Sequence, residues 1–161
     1  TDCKIITIEK QTHLKKTPYK SSIIRDKLKT DPNHGIDLLG HPYLMIGTII
    51  HGEKRGRLLG FPTANMRVSK TKCIPKFGVY KSHIIIDKIT HESITYIGRK
   101  PSFENQHPSI ETHILNNFNK TIYEKKAHLF LDTFIRPEIK FNSKDELVNQ
   151  IKDDIKIDYV E

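Results

Sequence analysis

The sequence predicts a mainly β protein: a small antiparallel, Greek-key-type β-barrel with a C-terminal amphipathic helix, preceded by a short helical N-terminal segment. Three observations carry this. From residue 43 onward, β-branched and aromatic residues gather in short runs set apart by Gly, Pro, Asn or charged residues. No helical stretch separates those runs, which favours antiparallel neighbours over βαβ units. Near the C-terminus the period changes, with Leu147, Ile151 and Ile155 recurring every four residues.

Taken in order, residues 1–20 are polar, with apolar patches such as Ile5-Ile6. Residues 21–29 suit a helix that turns Ile24 and Leu28 inward. Pro32-Asn33 restarts a second helix that runs through Leu39 and stops at Gly40. Pro42 breaks the chain, so the module boundary is set at residues 40–42, dividing the protein into 1–40 and 41–161. Strands are expected over 43–51, 77–87, 93–97, 109–115 and 127–135. Ser143-Lys144-Asp145-Glu146 has the form of a capping box opening the last helix.

A chain of 161 residues can bury the core of one ordinary domain. Cys3 and Cys73 form neither a disulfide framework nor a zinc spacing, which points to reduced thiols in a cytoplasm. The longest apolar run, residues 44–50, is too short to span a membrane. Net charge is +8, but its distribution says more: residues 51–81 hold eight Lys/Arg against one acid, Glu53, a local charge of +7. Residues 143–161 hold three Lys and six acids. Such a basic stretch suits nucleic acid, a membrane surface or a nucleotide polyphosphate. A nucleic-acid surface needs aromatic rings interleaved with the cations. Only Phe61, Phe77 and Tyr80 qualify, and Phe61 stands in a Pro-Thr-Ala-Asn context without stacking logic. The expectation is therefore no nucleic acid and no membrane.

Within the basic stretch, Gly52, Gly56 and Gly60 recur every four residues with Lys54, Arg55 and Arg57 between them. Backbone without Cβ can approach a ligand closely, and the cations favour a polyanion. Pro62 fixes φ just before Thr63, and Thr63 and Asn65 share one side of an extended segment. That reads as two neutral oxygen ligands beside a phosphate cradle. A solvated basic loop is the plain alternative, and no Gly-Lys-Ser/Thr completes a Walker A loop. Glu111 belongs to a second constellation, in which Ile110, Thr112 and Ile114 alternate with Glu111, His113 and Leu115. It is either a solvent-facing glutamate opposite a buried face or a general base inside a barrel mouth. His113, on the same face, reads as a packed or hydrogen-bonded histidine.

Together these pieces resemble the signature of riboflavin kinases. The resemblance rests on six ordered blocks: residues 51–65, Phe77-Gly78-Val79-Tyr80, Ile97-Gly98-Arg99-Lys100-Pro101, Ile110-Glu111-Thr112-His113-Ile114, Phe134-Ile135-Arg136-Pro137-Glu138 and Lys140-Phe141. It covers about residues 41–161. The segments Ser21-Ser22-Ile23-Ile24-Arg25 and 36–43 resemble the junction in bacterial bifunctional FAD synthetases, where an FMN adenylyltransferase module precedes the kinase. Residues 1–40 then read as the tail of that module, without its HxGH-type motif. Adenylylation by this chain alone is not expected, and a separate or missing N-terminal module would supply it.

The resemblance implies transfer of the ATP γ-phosphoryl group to the ribityl 5′-hydroxyl of riboflavin, giving FMN and ADP with Mg2+. It further implies ATP binding by Gly52, Gly56, Arg57, Gly60, Pro62 and Thr63, and Mg2+ ligation by Thr63 and Asn65. Glu111 takes the catalytic position, and Arg136 and Tyr123 the flavin side. From the residues alone, Arg136 reads equally as a surface arginine and Tyr123 as a core tyrosine. Five positions depart from the pattern: Lys20 for serine, Tyr96 for a small polar residue, Ser102 for threonine, Asn116 for aspartate and Glu124 for glycine. If that glycine supplied a positive φ, Glu124 costs about 1 kcal/mol or more. A catalytically impaired flavin- or nucleotide-binding remnant is the alternative that these departures keep open.

Overall fold

Strand alternation decides which side chains the barrel encloses. A computed structural model describes residues 19–53, 55–99, 108–115 and 121–156, with the Arg55 side chain left out. Cys3, Ile5-Ile6, Lys54, Lys100, Pro101, Ser102 and Asn116 lie outside the described residues. Six strands form: β1 (Tyr43–Ile50), β2 (Thr63–Val68), β3 (Gly78–Ile86), β4 (Ile89–Arg99), β5 (Pro108–Ile114) and β6 (Lys126–Arg136). Every second residue points inward, so Met45, Ile49, Met66, Tyr80, Ile84, Ile97, Ile110, Leu129 and Leu131 meet in one buried cluster. All pairings are antiparallel, in the closed order β1-β2-β5-β4-β3-β6. Strands β3, β4 and β5 follow one another, and β6 returns beside β3, which is a Greek key. Closure leaves no sheet edge exposed to pairing.

The core also holds a chain of hydroxyls. Ser82 Oγ lies 2.8 Å from both Ser93 Oγ and Thr95 Oγ1, and Thr95 Oγ1 lies 2.9 Å from Thr112 Oγ1. Each buried hydroxyl thus has a partner, and the chain stitches β3, β4 and β5 at one height.

The sequence reading treated residues 63–65 as extended but gave them no strand. Strand β2 is short, and its inward residues, Ala64, Met66 and Val68, include only one β-branched side chain. Inside the stretch read as a glycine loop, Arg55–Leu58 forms a single helical turn, α3 in chain order. The Phe61 N–H closes it by donating to Gly56 O at 2.8 Å. The strand expected over 77–87 ends at Ile86, because Asp87 and Lys88 take φ of 52° and 68° in a two-residue turn.

Helices α1 (Ser21–Thr30) and α2 (Pro32–Leu39) sit on the barrel and share its core through Leu28 and Ile36. Asp31 caps α2 by accepting from the His34 N–H, and Gly40 ends it at φ 72°. The Asn33 side chain donates to Phe134 O at 3.2 Å and accepts from the Phe134 N–H at 2.7 Å, seating α2 on β6. Helix α4 (Lys144–Lys156) opens where the capping signal placed it, with Ser143 Oγ accepting from the Glu146 N–H at 3.2 Å. The return bond reaches Asn142 N rather than Ser143 N. Leu147, Ile151 and Ile155 are only half-buried, and the buried residue of this helix is Asp154.

Two stability predictions follow from backbone and burial. Glu124 has φ 65°, so the strain anticipated for a glycine position is present. Glu124→Gly removes that strain while adding freedom to the unfolded chain. A net gain of about 0.5–1 kcal/mol is expected, read as a Tm rise of about 1–4 °C; a lower Tm would contradict it.

The second prediction concerns pH. Burial pushes the phenols of Tyr43 and Tyr80 well above the ordinary tyrosine value. Above about pH 10 the unfolded chain releases these protons while the fold retains them, so stability falls as pH rises. The slope is at most about 1.4 kcal/mol per pH unit for each tyrosine. Burial lowers Lys72, which acts with the opposite sign by losing an unfavourable charge as pH rises. Tyr43 and Tyr80, joined by Tyr96 with a shift in the same direction, outweigh one lysine. Urea midpoints measured at about pH 9 and about pH 11 should therefore fall, and equal midpoints would refute the assignment.

Candidate active site

One register row carries the site. Ile50 pairs with Asn65, Asn65 with Glu111, Glu111 with Tyr96, Tyr96 with Val79, and Val79 with Arg136. Neighbouring strands lie about 4.8 Å apart, so residues far apart in sequence become lateral neighbours. Glu111 therefore stands between Asn65 and Tyr96 on the outward face of the wall. The inward positions beside it belong to Ile110 and Thr112, both buried. This corrects the expectation of a base inside the barrel mouth: strand alternation puts the carboxylate on the outer side of the same wall.

Glu111 is half-buried and held at both oxygens. Ser109 Oγ donates to Oε1 at 2.8 Å, and Thr63 Oγ1 donates to Oε2 at 3.5 Å. Thr63 and Asn65 point the same way from β2, as their two-residue spacing requires. The segment before them closes over this corner. A Cβ on Gly52 would lie 2.2 Å from Asn65 Nδ2, so only glycine lets the backbone come so near the amide. Gly56 lies close to Thr63 Oγ1, while Arg57, Gly60 and Pro62 are exposed around the turn. His113 Nδ1 donates to Pro62 O at 2.8 Å, and its ring meets Phe61 edge-on, so this histidine braces the segment.

The two residues implied on the flavin side are placed differently. Tyr123 stacks on His51, with ring centroids 3.7 Å apart at 24°, beside Gly52. Arg136 lies further along the register row and is engaged. Its Nε and Nη2 donate to the two oxygens of Asp154 at 2.8 and 2.7 Å, and its Nη1 donates to Pro137 O at 3.1 Å. The structure thus brings Gly52, Gly56, Thr63, Asn65 and Glu111 together. It sets Tyr123 at the start of the basic segment and ties Arg136 to α4.

Sequence reasoning missed three features of this region. Ser109 lies two residues before Glu111 on one strand, and period-two counting would have found it. Tyr96, noted only as a departure, donates to Glu138 Oε1 at 2.6 Å. Its phenol is raised by burial first, then by the hydrogen bond and charge of Glu138 and the charge of Glu111, against a smaller opposing effect of Arg136. Asp154, the third, pairs with Arg136 across the linker to α4, which no spacing rule announces.

The donors beside the Glu111 carboxylate are the Thr63 hydroxyl and the Asn65 amide oxygen, hard oxygens that suit Mg2+ rather than a softer metal. Among the described residues no group of three or more His, Cys, Asp or Glu gathers that could hold a metal. A cation here would rely on neutral oxygens together with phosphate and water.

Comparison with known proteins gives the family. The family profile "Flavokinase: Riboflavin kinase" matches residues 39–158. The chain belongs to the riboflavin kinase family. A bifunctional riboflavin kinase/FMN adenylyltransferase of Listeria monocytogenes is 38% identical over 152 residues, covering 94% of this chain and 48% of that protein. Its Bacillus subtilis namesake is 37% identical, covering 91% of this chain and 47% of that protein. The chain thus spans about half the length of the curated relatives it matches. Among solved structures, one described as a macrolide-efflux protein from Streptococcus pneumoniae superposes with a TM-score of 0.84 at 29% identity, over 93% of this chain and 49% of that one. A riboflavin kinase from Trypanosoma brucei gives a TM-score of 0.53 at 21% identity, over 73% of this chain and 77% of that one, a likeness of fold. Among the described residues, no helix is long and apolar enough to cross a membrane.

Proposed function

We propose that this chain is an ATP-dependent riboflavin kinase that phosphorylates the ribityl 5′-hydroxyl to give FMN. The observation that carries this is the corner where Glu111 pairs in register with Asn65 and accepts from the Thr63 hydroxyl. Phosphoryl transfer needs positioning and charge neutralisation more than covalent help. The backbone around Gly52, Gly56 and Gly60 approaches the nucleotide phosphates, and Arg57 adds charge beside them. Thr63 and Asn65 would hold Mg2+, which would supply charge neutralisation at the phosphate oxygens. Glu111, oriented by Ser109, takes the proton of the ribityl hydroxyl. Arg136 lies toward the flavin side; Tyr123, implied there too by the family resemblance, stacks on His51 beside Gly52, on the phosphate flank.

Residues 1–40 are the tail of an adenylyltransferase-like module and residues 41–161 the kinase. FMN adenylylation is not part of the activity proposed for these residues. The working compartment is the cytoplasm, and neither nucleic acid nor membrane is a partner. The strained Glu124 beside Tyr123 favours a second reading, an impaired remnant that binds flavin or nucleotide without turnover. Incubation with riboflavin, ATP and Mg2+ decides between them. FMN should appear and should require all three. Flavin binding without FMN would leave the remnant, and neither binding nor turnover would sink both.

A further inference from the structure

We propose that Tyr96 and Glu138 form a latch that shapes the acceptor flank of the Glu111 site, so that Tyr96 acts as a positioning residue for the flavin substrate. This rests on the kinase reading. In the sheet order β2–β5–β4, Glu111 lies in the middle strand. The elements suited to phosphate and metal, the glycine segment with Thr63 and Asn65, all lie on its β2 flank. Transfer to an acceptor oxygen runs roughly in line, so acceptor and leaving oxygens stand on opposite sides of the phosphoryl group. The acceptor must then approach from the β4 flank, where the residue paired with Glu111 is Tyr96.

The Tyr96 side chain does not extend freely there. It runs over Gly98, where a Cβ would lie 1.9 Å from the phenol oxygen and 2.4 Å from Glu138 Oε1. Glycine at that position is what lets the two groups meet. The hydrogen bond to Glu138 is short and charge-assisted, and it fixes the ring. Glu138 follows β6 by two residues, just beyond Arg136, which Asp154 holds from α4. The segment leaving β6 is therefore pinned at two points, and one of them borders the proposed base. Because the Tyr96 phenol donates to Glu138 and not to Glu111 or the phosphate side, loss of that bond should weaken flavin binding and spare the chemical step.

The test is steady-state FMN formation by the full chain, with riboflavin and ATP varied separately, alongside riboflavin binding read by fluorescence quenching. Tyr96→Phe keeps the ring and deletes the donor. Its KM for riboflavin should rise roughly tenfold, the scale of one hydrogen bond to a charged group. Its kcat and its KM for ATP should stay within about twofold. Glu138→Gln, which keeps an acceptor, should cost less than Glu138→Ala. The Tyr96→Phe/Glu138→Ala double variant should be no worse than the poorer single one. An unchanged KM for riboflavin, a fall in kcat alone, or independent multiplying effects would overturn the latch. If the wild type binds riboflavin but forms no FMN, the kinase reading fails while the quenching arm still tests Tyr96. If the wild type does not bind riboflavin, both fail.

Discussion

Glu111→Gln is expected to lower FMN formation about 100- to 10,000-fold, the usual contribution of a positioned general base. Glutamine nearly preserves the size of the side chain. Its amide oxygen still accepts from Ser109 Oγ or Thr63 Oγ1, so the corner should keep its shape. What it cannot do is take a proton. Nucleotide affinity should change little, because the glycine segment and Thr63 lie on the other flank of the carboxylate. Initial rates of FMN formation beside nucleotide binding by calorimetry separate the two effects. A variant with wild-type turnover would remove the base role. A variant that also lost ATP binding would show that Glu111 holds the nucleotide side instead.

The reach of the sequence is clearest at this corner. Thr63, Asn65 and Glu111 were legible because period two is a local rule, and three side chains on two strands obey it. Their meeting was not local. It depends on β2 pairing with β5, with β3 and β4 lying between them in sequence. The resemblance to a known family supplied that convergence; the hydrophobic pattern did not. Strand β2 itself escaped notice because it follows Pro62, contains Arg67 and has few β-branched residues, although Ala64, Met66 and Val68 alternate correctly. The Glu124 backbone was anticipated from a single glycine departure, since a positive φ leaves a mark on residue choice. Side-chain partners across long connections leave no such mark. Nothing in the spacing of Tyr96 and Glu138, or of Arg136 and Asp154, signals that they meet.

Asp154→Ala should cost about 3–5 kcal/mol and lower Tm by about 6–20 °C. Asp154 is 2% exposed and accepts from both Arg136 donors and from Gln150 Nε2 at 3.0 Å. Its removal leaves a largely buried guanidinium with one carbonyl partner, Pro137 O, and the face of the Phe141 ring 5.9 Å away. An unpaired buried charge is costlier than the pair is favourable, so the damage should far exceed the worth of a surface salt bridge. Because the apolar stripe of α4 is only half-buried, the helix has little else to hold it, and it should undock before the barrel melts. Hydrogen exchange in α4 would report that order of events. The Arg136→Met/Asp154→Leu pair removes both charges together and should recover most of the lost stability. That double variant also separates the two readings of Arg136. If the arginine serves only to seat α4, the repaired protein makes FMN with an ordinary KM for riboflavin. If it also faces the flavin, stability returns but the KM for riboflavin stays high.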